Sequence, residues 1–191
     1  MATIISDREL VTVTSAGFRK ALGCFATGVT VITVNQEGQV HGMTANAFTS
    51  VSLKPPLMLV CINRHNRTHE YLQAKRRFGA NILAENQRPI SEYYALHGAE
   101  RMQKPGVQAE FFLTERGTPV LGGALSFLEC RLREMYLAGD HTLFVAEVEG
   151  IIPGQGEPLL YFRGNYRNIG AAEAKENERE TSIGETGNAG S

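Results

Sequence analysis

HGMTANAFTSVS, running from His41 to Ser52, contains no Lys, Arg, Asp or Glu. Its length suits one strand with its approach. In an alternating register Ala45, Ala47, Thr49 and Val51 point one way, and Thr44, Asn46, Phe48, Ser50 and Ser52 the other. An exposed strand face ordinarily carries charge, and this one offers only small hydroxyls and an amide. Small side chains of that kind let a flat polar ring approach the backbone, with hydroxyl and amide groups serving its heteroatoms.

Outward from this stretch the pattern stays mainly β. GVTVITV (28–34) is a β-branched run, NQEG (35–38) is a turn, and the 41–52 stretch is expected to return alongside that run. PPLMLVCIN (55–63) reads as a buried strand whose two prolines stand at its start, where they remove no ladder bond. Helical spacing marks SAGFRKALGCFA (15–26), with Phe18, Leu22 and Phe25 on one side, and also THEYLQAKRR (68–77) and RPISEYYALHG (88–98). FGANIL (78–83) returns as a strand. Residues 123–138 and 142–152 form a hairpin about the turn Gly139-Asp140-His141, and PLLYFRGNY (158–166) is read as a last strand. This order favours a closed mainly-β barrel with short helices over stacked βαβ units.

The 191 residues fit one domain, taken as 15–170, with an N-terminal arm at 1–14. From Ala171 to Ser191 five Glu face only Lys175 and Arg179, and Ile183 is the sole large apolar residue. Such a tail cannot offset its ordering entropy and is expected to be disordered. A net charge of −1 gives no general attraction to nucleic acid or an anionic membrane, and the absence of Trp disfavours a base-stacking platform. Cys24, Cys61 and Cys130 are odd in number and widely spaced, so a reducing, cytoplasmic compartment is expected. The opening MATIISDREL has no signal-peptide pattern, and no apolar run approaches the ~20 residues that span a bilayer.

Familiar nucleotide motifs are missing: there is no G-x-G-x-x-G after a strand and no G-x-x-x-x-G-K-[ST]. His65 and His69 in HNRTH have the i, i+4 spacing of a zinc protease helix, but Asn66 stands where the general base belongs, and no metal is expected. The same residues open a helix, where free N–H groups, Arg67 and Thr68 suit a phosphate; an ordinary capped helix with Arg67 in solvent is the plainer alternative. Cys61 lies inside a strand read as buried, Cys24 on the inner side of the first helix and Cys130 in mid-strand, and Ser50 and Ser52 have no general base nearby in sequence, so covalent catalysis is not expected. His141 is either a solvent-facing turn residue or a ring at the mouth of a barrel. Arg163 and Tyr166 either end a strand or clamp a polar ligand.

FATGVTVITV, GMTANAFTSVSLKPPLMLVCIN, FGANIL, GDHTLFVAEVE and PLLYFRGNY, in this order over residues 14–167, resemble the short-chain flavin reductases, the reductase components of two-component flavin monooxygenases. The resemblance implies a homodimeric, FMN-binding split β-barrel. It implies an NAD(P)H:flavin oxidoreductase that passes a hydride from NADH or NADPH to FMN or FAD and supplies reduced flavin to an oxygenase partner. Flavin contacts are implied at Thr27, along Thr44, Ala45, Asn46 and Ala47, and along Ser50, Val51 and Ser52. Further contacts are implied at Cys61, Asn63, Arg67, Thr68 and Asn81. His141 is implied on the nicotinamide side, with Arg163 and Tyr166. Two other readings share the barrel: an electron carrier or sensor with tightly held FMN, and a pyridoxamine-phosphate oxidase-like enzyme. The Gly-Asp-His turn argues against the second.

Overall fold

A computed structural model describes residues 10–170. Residues 1–9 and 171–191 lie outside it, and with them most of the expected arm and the acidic tail. In chain order the elements are α1 (Ser15–Leu22), β1 (Thr27–Gly28), β2 (Thr30–Gln36), β3 (Gln39–Ala45), β4 (Phe48–Leu53), β5 (Pro56–Asn63), α2 (Arg67–Lys75), β6 (Arg77–Ile82), α3 (Arg88–Ala95) and α4 (Gly98–Gln103). Then follow β7 (Phe111–Leu113), β8 (Pro119–Leu121), β9 (Ser126–Ala138), β10 (His141–Pro153), β11 (Leu160–Phe162) and β12 (Asn165–Arg167).

The principal sheet has seven strands in the order β3-β2-β6-β9-β10-β5-β4. Its outermost strands, β3 and β4, are consecutive in the chain and joined only by Asn46 and Ala47. Seven flat strands would hold the two edges about 29 Å apart, whereas three Cα steps reach only about 11 Å. The sheet therefore curls until its edges approach one another at this corner. The Cys61 N–H donates to the Ala47 carbonyl (3.0 Å), which extends the β4–β5 ladder up to this corner.

Local chemistry explains the pairing. Glu37 and Gly38 both take positive φ (54° and 85°), the two-residue turn that folds β3 back on β2. Gly139 (φ 61°) occupies the first central position of the Gly139-Asp140 turn, so β9 and β10 pair from Ala138 and His141 outward. The inside of the curl is filled by Ile32, Val34, Met43, Met58, Val60, Ile62, Phe78 and Phe144, with Leu72 of α2 packed against them. A second cluster outside β2 joins Val29, Val31, Leu83, Leu121 and Leu159 to Ile90 and Tyr94 of α3. β2 is thus buried on both faces, which is why it reads as a continuous β-branched run. Gly42 allows α3 its close approach, since a Cβ there would lie 2.6 Å from the Tyr94 ring.

On β6, β9 and β10 a carboxylate–arginine ladder runs across the strands. Glu129, whose side chain is 5% exposed, accepts from the Thr114 and Thr118 hydroxyls (2.7 Å each) and from Arg116 Nη1 (2.8 Å). Burial pushes its carboxyl up, but these hydrogen bonds outweigh that and hold it below the usual range. Glu149 accepts from Arg131 and from Arg77 (2.8 Å), which depress it to about 2. Glu147 meets Arg131 and Arg133.

Four expectations are corrected. The 41–52 stretch is two strands, because the corner at Asn46-Ala47 moves the chain from one sheet edge to the other. Alternation restarts there, and a bulge between Ser50 and Ser52 disturbs it again. The final 158–166 strand is a hairpin of β11 and β12, with Arg163 (φ 49°) and Gly164 (φ 78°) as its turn. The first helix stops at Leu22 and buries nothing: Phe18, Leu22 and Phe25 are exposed. Cys24, expected on the helix's inner side, is exposed as well. The β7–β8 hairpin and α4 were not anticipated, since three-residue strands and six-residue helices are too short for periodicity to register.

Candidate functional site

Two clefts flank the region where the sheet turns its corner. The first, of about 360 Å³, is lined by Phe25, Ala26, Thr27, Gly28, Thr30, Asn46, Phe48, Thr49 and Ile82, none of them charged. β1 carries Thr27 into it, held there by pairing with Tyr161 of β11. The Thr27 hydroxyl oxygen is buried without a hydrogen-bond partner. An unpaired buried hydroxyl costs about 1–3 kcal/mol, and a polar heterocycle in the cleft would supply the partner. Thr30 by contrast is committed, donating to the Ala45 carbonyl (2.7 Å). Asn46, exposed at the corner, leaves its amide facing the same space. The residues present therefore fit an uncharged ring system such as isoalloxazine.

The other residues expected around the ring divide. Ala47, Ser50 and Val51 are exposed along the corner and β4. Ser52, half-buried, accepts from the Lys54 N–H (3.2 Å). Thr44 uses its hydroxyl on the Ser91 carbonyl (2.7 Å), and Ala45 is buried in the core. Cys61 is half-buried and its thiol is pushed up by burial, which suits wall rather than nucleophile. Asn81 is fully buried: its amide donates to the Val31 carbonyl (2.9 Å) and the Thr33 hydroxyl (3.1 Å) and accepts from the Leu121 N–H (2.8 Å). It pins β8 to β6 and β2, and its position is that of a structural cross-link.

The second cleft is larger, about 730 Å³, and cationic. Arg67, His65, Asn66 and Asn63 form one side, Arg101, His97, Leu96 and Met102 the other, with His41 also on its wall. Asn66 caps α2 by accepting from the Thr68 N–H (2.9 Å), as its side chain at a helix start should. Thr68 is buried and bonds its hydroxyl to His41 Nε2 (2.8 Å). Burial, with Arg101 and Arg67 adding, lowers His41 to about 4, so its ring is neutral at ordinary pH. His65 and His69 do not converge. His69 is buried against Phe144 and bonded to the Thr142 hydroxyl (2.9 Å), while His65 is exposed.

His141 stands at the edge of this cleft's loop. It pairs with Asn63 across β10 and β5, and the Arg64 N–H donates to the Asp140 carbonyl (3.0 Å). Its Nδ1 lies 2.8 Å from the Asp140 carboxylate, and that contact holds Asp140 below its usual range. Arg163 and Tyr166 belong to another neighbourhood. The Arg163 N–H donates to Gly23, and Tyr166 bonds the Ser91 hydroxyl (2.8 Å) with its ring against Tyr161 and under Arg88. The structure thus brings His141 to the Asn63–Thr68 loop and Thr27 to Asn46, and keeps Arg163 and Tyr166 apart from the His141 turn. Sequence reasoning missed Phe25, Thr30 and Thr49, and above all Arg101, which nothing in HGAERMQ distinguishes from an exposed helix residue.

Comparison with known proteins identifies the family. The flavin reductase like domain family matches residues 22–170. An NADH-dependent flavin reductase of a Rhodococcus species is 42% identical over 82% of this chain and 88% of its own. The reductase component of a Rhodococcus opacus 4-nitrophenol 4-monooxygenase/4-nitrocatechol 2-monooxygenase is 38% identical over 79% of each chain. A solved Streptomyces globisporus NADH:FAD oxidoreductase, in complex with NAD and FAD fragments, superposes with a TM-score of 0.76 at 33% identity, covering 91% of this chain and 100% of that one. With an uncharged cleft at the sheet corner and a family match across the whole of that sheet, the chain belongs to the flavin reductase like domain family.

Proposed function

We propose that the protein is an NADH:flavin oxidoreductase that reduces FMN or FAD and releases the reduced flavin to a separate oxygenase component. The observation that carries this reading is the charge-free cleft in which the Thr27 hydroxyl is buried and unpartnered beside Asn46. A flavin bound there supplies the hydride-accepting ring, so the protein needs no nucleophile and no general base. Thr27 and Asn46 hydrogen-bond the ring's heteroatoms, Phe25 and Phe48 exclude water from it, and Arg67 offers charge toward the phosphate. His141, beside the Asn63–Thr68 loop of the cationic cleft, would orient the nicotinamide toward the ring, the proximity contribution to rate.

In this reading the curled sheet is a split barrel and two copies assemble through apolar surface. Support for assembly comes from α1, an amphipathic helix that buries no side chain in its own chain. Cytoplasmic placement rests on Cys24, Cys61 and Cys130, all free thiols; no described helix is long and apolar enough to cross a membrane. The test is steady-state oxidation of NADH and NADPH with FMN, FAD and riboflavin in turn. Turnover with at least one flavin is expected. A protein that stays yellow through desalting and turns over none of them is an electron carrier or sensor, and the reductase reading fails. His141→Ala should raise KM for NADH more than it weakens flavin binding.

A further inference from the structure

We propose that the arginine ladder and the adjoining C-terminal end of α2 form a docking surface for the chain's own acidic segment, residues 171–191, seated through Glu173, Glu176, Glu178 and Glu180. Two open clefts make up this surface. One, of about 420 Å³, is lined by Lys75, Arg76, Arg77, Arg131, Leu132 and Arg133, with no carboxylate among them. The other, of about 410 Å³, shares Lys75 and Arg77 and adds Arg116. Cations outnumber acids here. Arg77, Arg116, Arg131 and Arg133 share Glu129, Glu147 and Glu149, which leaves one positive charge over. Lys75 and Arg76 are exposed and, among the described residues, meet no carboxylate, which adds two more. Glu37, exposed on the rim of the second cleft, returns one negative charge and leaves the surface at +2.

Acceptors are short even inside the ladder, where Arg77 Nη1 is buried without a hydrogen-bond partner. Arg76 Nη2 donates to the Leu132 and Arg133 carbonyls (3.3 and 3.4 Å), neutral acceptors that position its charge without cancelling it. The 171–191 segment has the opposite imbalance: five Glu against Lys175 and Arg179, a net −3. Glutamate carboxylates pair with guanidinium groups of this kind. Geometry favours the same match. Phe78 and Leu132 point into the curl, so Arg77, Arg131 and Arg133 point to its outside. Leu159, Tyr161 and Tyr166, which lead the chain to Gly170, pack on that outer side as well. The Leu159 N–H donates to the Leu83 carbonyl at one end of β6 (3.0 Å), and Arg77 stands at the other end, about 20 Å away. Glu178 and Glu180, eight and ten residues beyond Gly170, have about 26–35 Å of chain with which to span that distance. A segment tethered so near samples the surface at roughly millimolar effective concentration. Several exposed ion pairs, each weak alone, therefore suffice to seat it.

The experiment uses the full chain and a labelled synthetic peptide of residues 171–191, with binding followed by fluorescence anisotropy at low salt. In a full-length variant with all five glutamates of the segment changed to Gln, the surface is vacated and the peptide should bind. In wild type the tethered segment competes, and affinity for the peptide should be at least about fivefold weaker. Binding to the five-Gln chain should disappear at about 0.5 M NaCl, where the Debye length falls to about 4 Å. Adding Lys75→Gln or Arg76→Gln to that chain should weaken it again, whereas Arg67→Gln, in the other cationic cleft, should not. Lys75 makes no bond within the fold, so its variant is informative even if Arg76→Gln unfolds. Carbodiimide coupling of wild type should join Lys75 to Glu173–Glu180 in preference to Lys20, Lys54 or Lys104, within single chains in a mixture of light and heavy isotope-labelled protein. Equal affinity of wild type and the five-Gln chain, loss of binding in Arg67→Gln but not Lys75→Gln, or links that join light to heavy chains would each overturn the proposal. None of these readouts requires flavin, so the outcome is independent of the reductase reading.

Discussion

Two groups of arginines in this molecule have opposite surroundings. Arg77, Arg116, Arg131 and Arg133 lie against Glu129, Glu147 and Glu149 across β6, β9 and β10. Arg67 and Arg101 face a cleft and meet no carboxylate. In the first group charge is neutralised inside the chain and serves to hold strands in register. In the second it is left open to the cleft, without a carboxylate to neutralise it. Between them lies the corner stretch from His41 to Ser52, where charge is excluded altogether. Residue type alone does not separate these uses; the nearest acceptor does.

The sharpest way to break this contrast is to remove the most deeply buried acceptor. Glu129→Ala strands the Thr118 and Thr114 hydroxyls together with Arg116, and unfolding free energy should drop by about 3 kcal/mol, measured by urea denaturation. If stability barely changes, the ladder is ornamental and the contrast collapses. An acid titration of melting temperature comes next. His41 has its pKa lowered from 6.5 to about 4, so the unfolded chain takes up a proton first. Its stabilising contribution is complete above pH 6.5 and declines as pH falls from there toward 4. Glu149, depressed from 4.5 to about 2, contributes fully above 4.5 and loses that contribution between 4.5 and 2. His41→Gln should flatten the upper part of the acid limb and Glu149→Gln the lower part. A swap of these two effects would refute both assignments.

Thr27→Val is a smaller and more discriminating change. The hydroxyl has no partner in the fold, so stability should hold or rise slightly, while flavin binding weakens by about 1 kcal/mol. Loss of stability with unchanged flavin affinity would make Thr27 part of the scaffold. The smallest expected effect belongs to Arg88–Glu92, an exposed i, i+4 pair on α3 at 2.8 Å. Glu92→Gln should change stability by less than about 0.5 kcal/mol. A larger cost would show that pairing as such, rather than burial, stabilises the ladder.

The hairpins were legible in sequence because their causes are local. Gly38 and Gly139 stand at turns flanked by alternating apolar residues, and both folded the chain as expected. The absence of charge sets 41–52 apart in the sequence, but its course through two sheet edges is hidden there. That course depends on β3 pairing with β2 and β4 with β5, partners no short window contains. Asn81 shows the same limit from the other side. An amide on a strand suits a ligand as well as a cross-link, and only the positions of Val31, Thr33 and Leu121 distinguish them. Arg101 acquires its meaning from three carbonyls, two of them on α3 and its C-terminal end and one on β3.

The β9–β10 hairpin has a mechanical consequence. Everything on one side of the sheet hangs from β9, through β6 and β2 to β3; everything on the other hangs from β10, through β5 to β4. The chain corner at Asn46 is where these two arms come back together. Register shifts at Val145/Ala146 and Val148/Gly150 interrupt the hairpin along its length, and bulges of this kind bend a strand and sharpen its twist. The hairpin therefore acts as a spring clip whose jaws are the two edge strands. Changing its bend would alter the spacing of those two strands without replacing any residue at the corner.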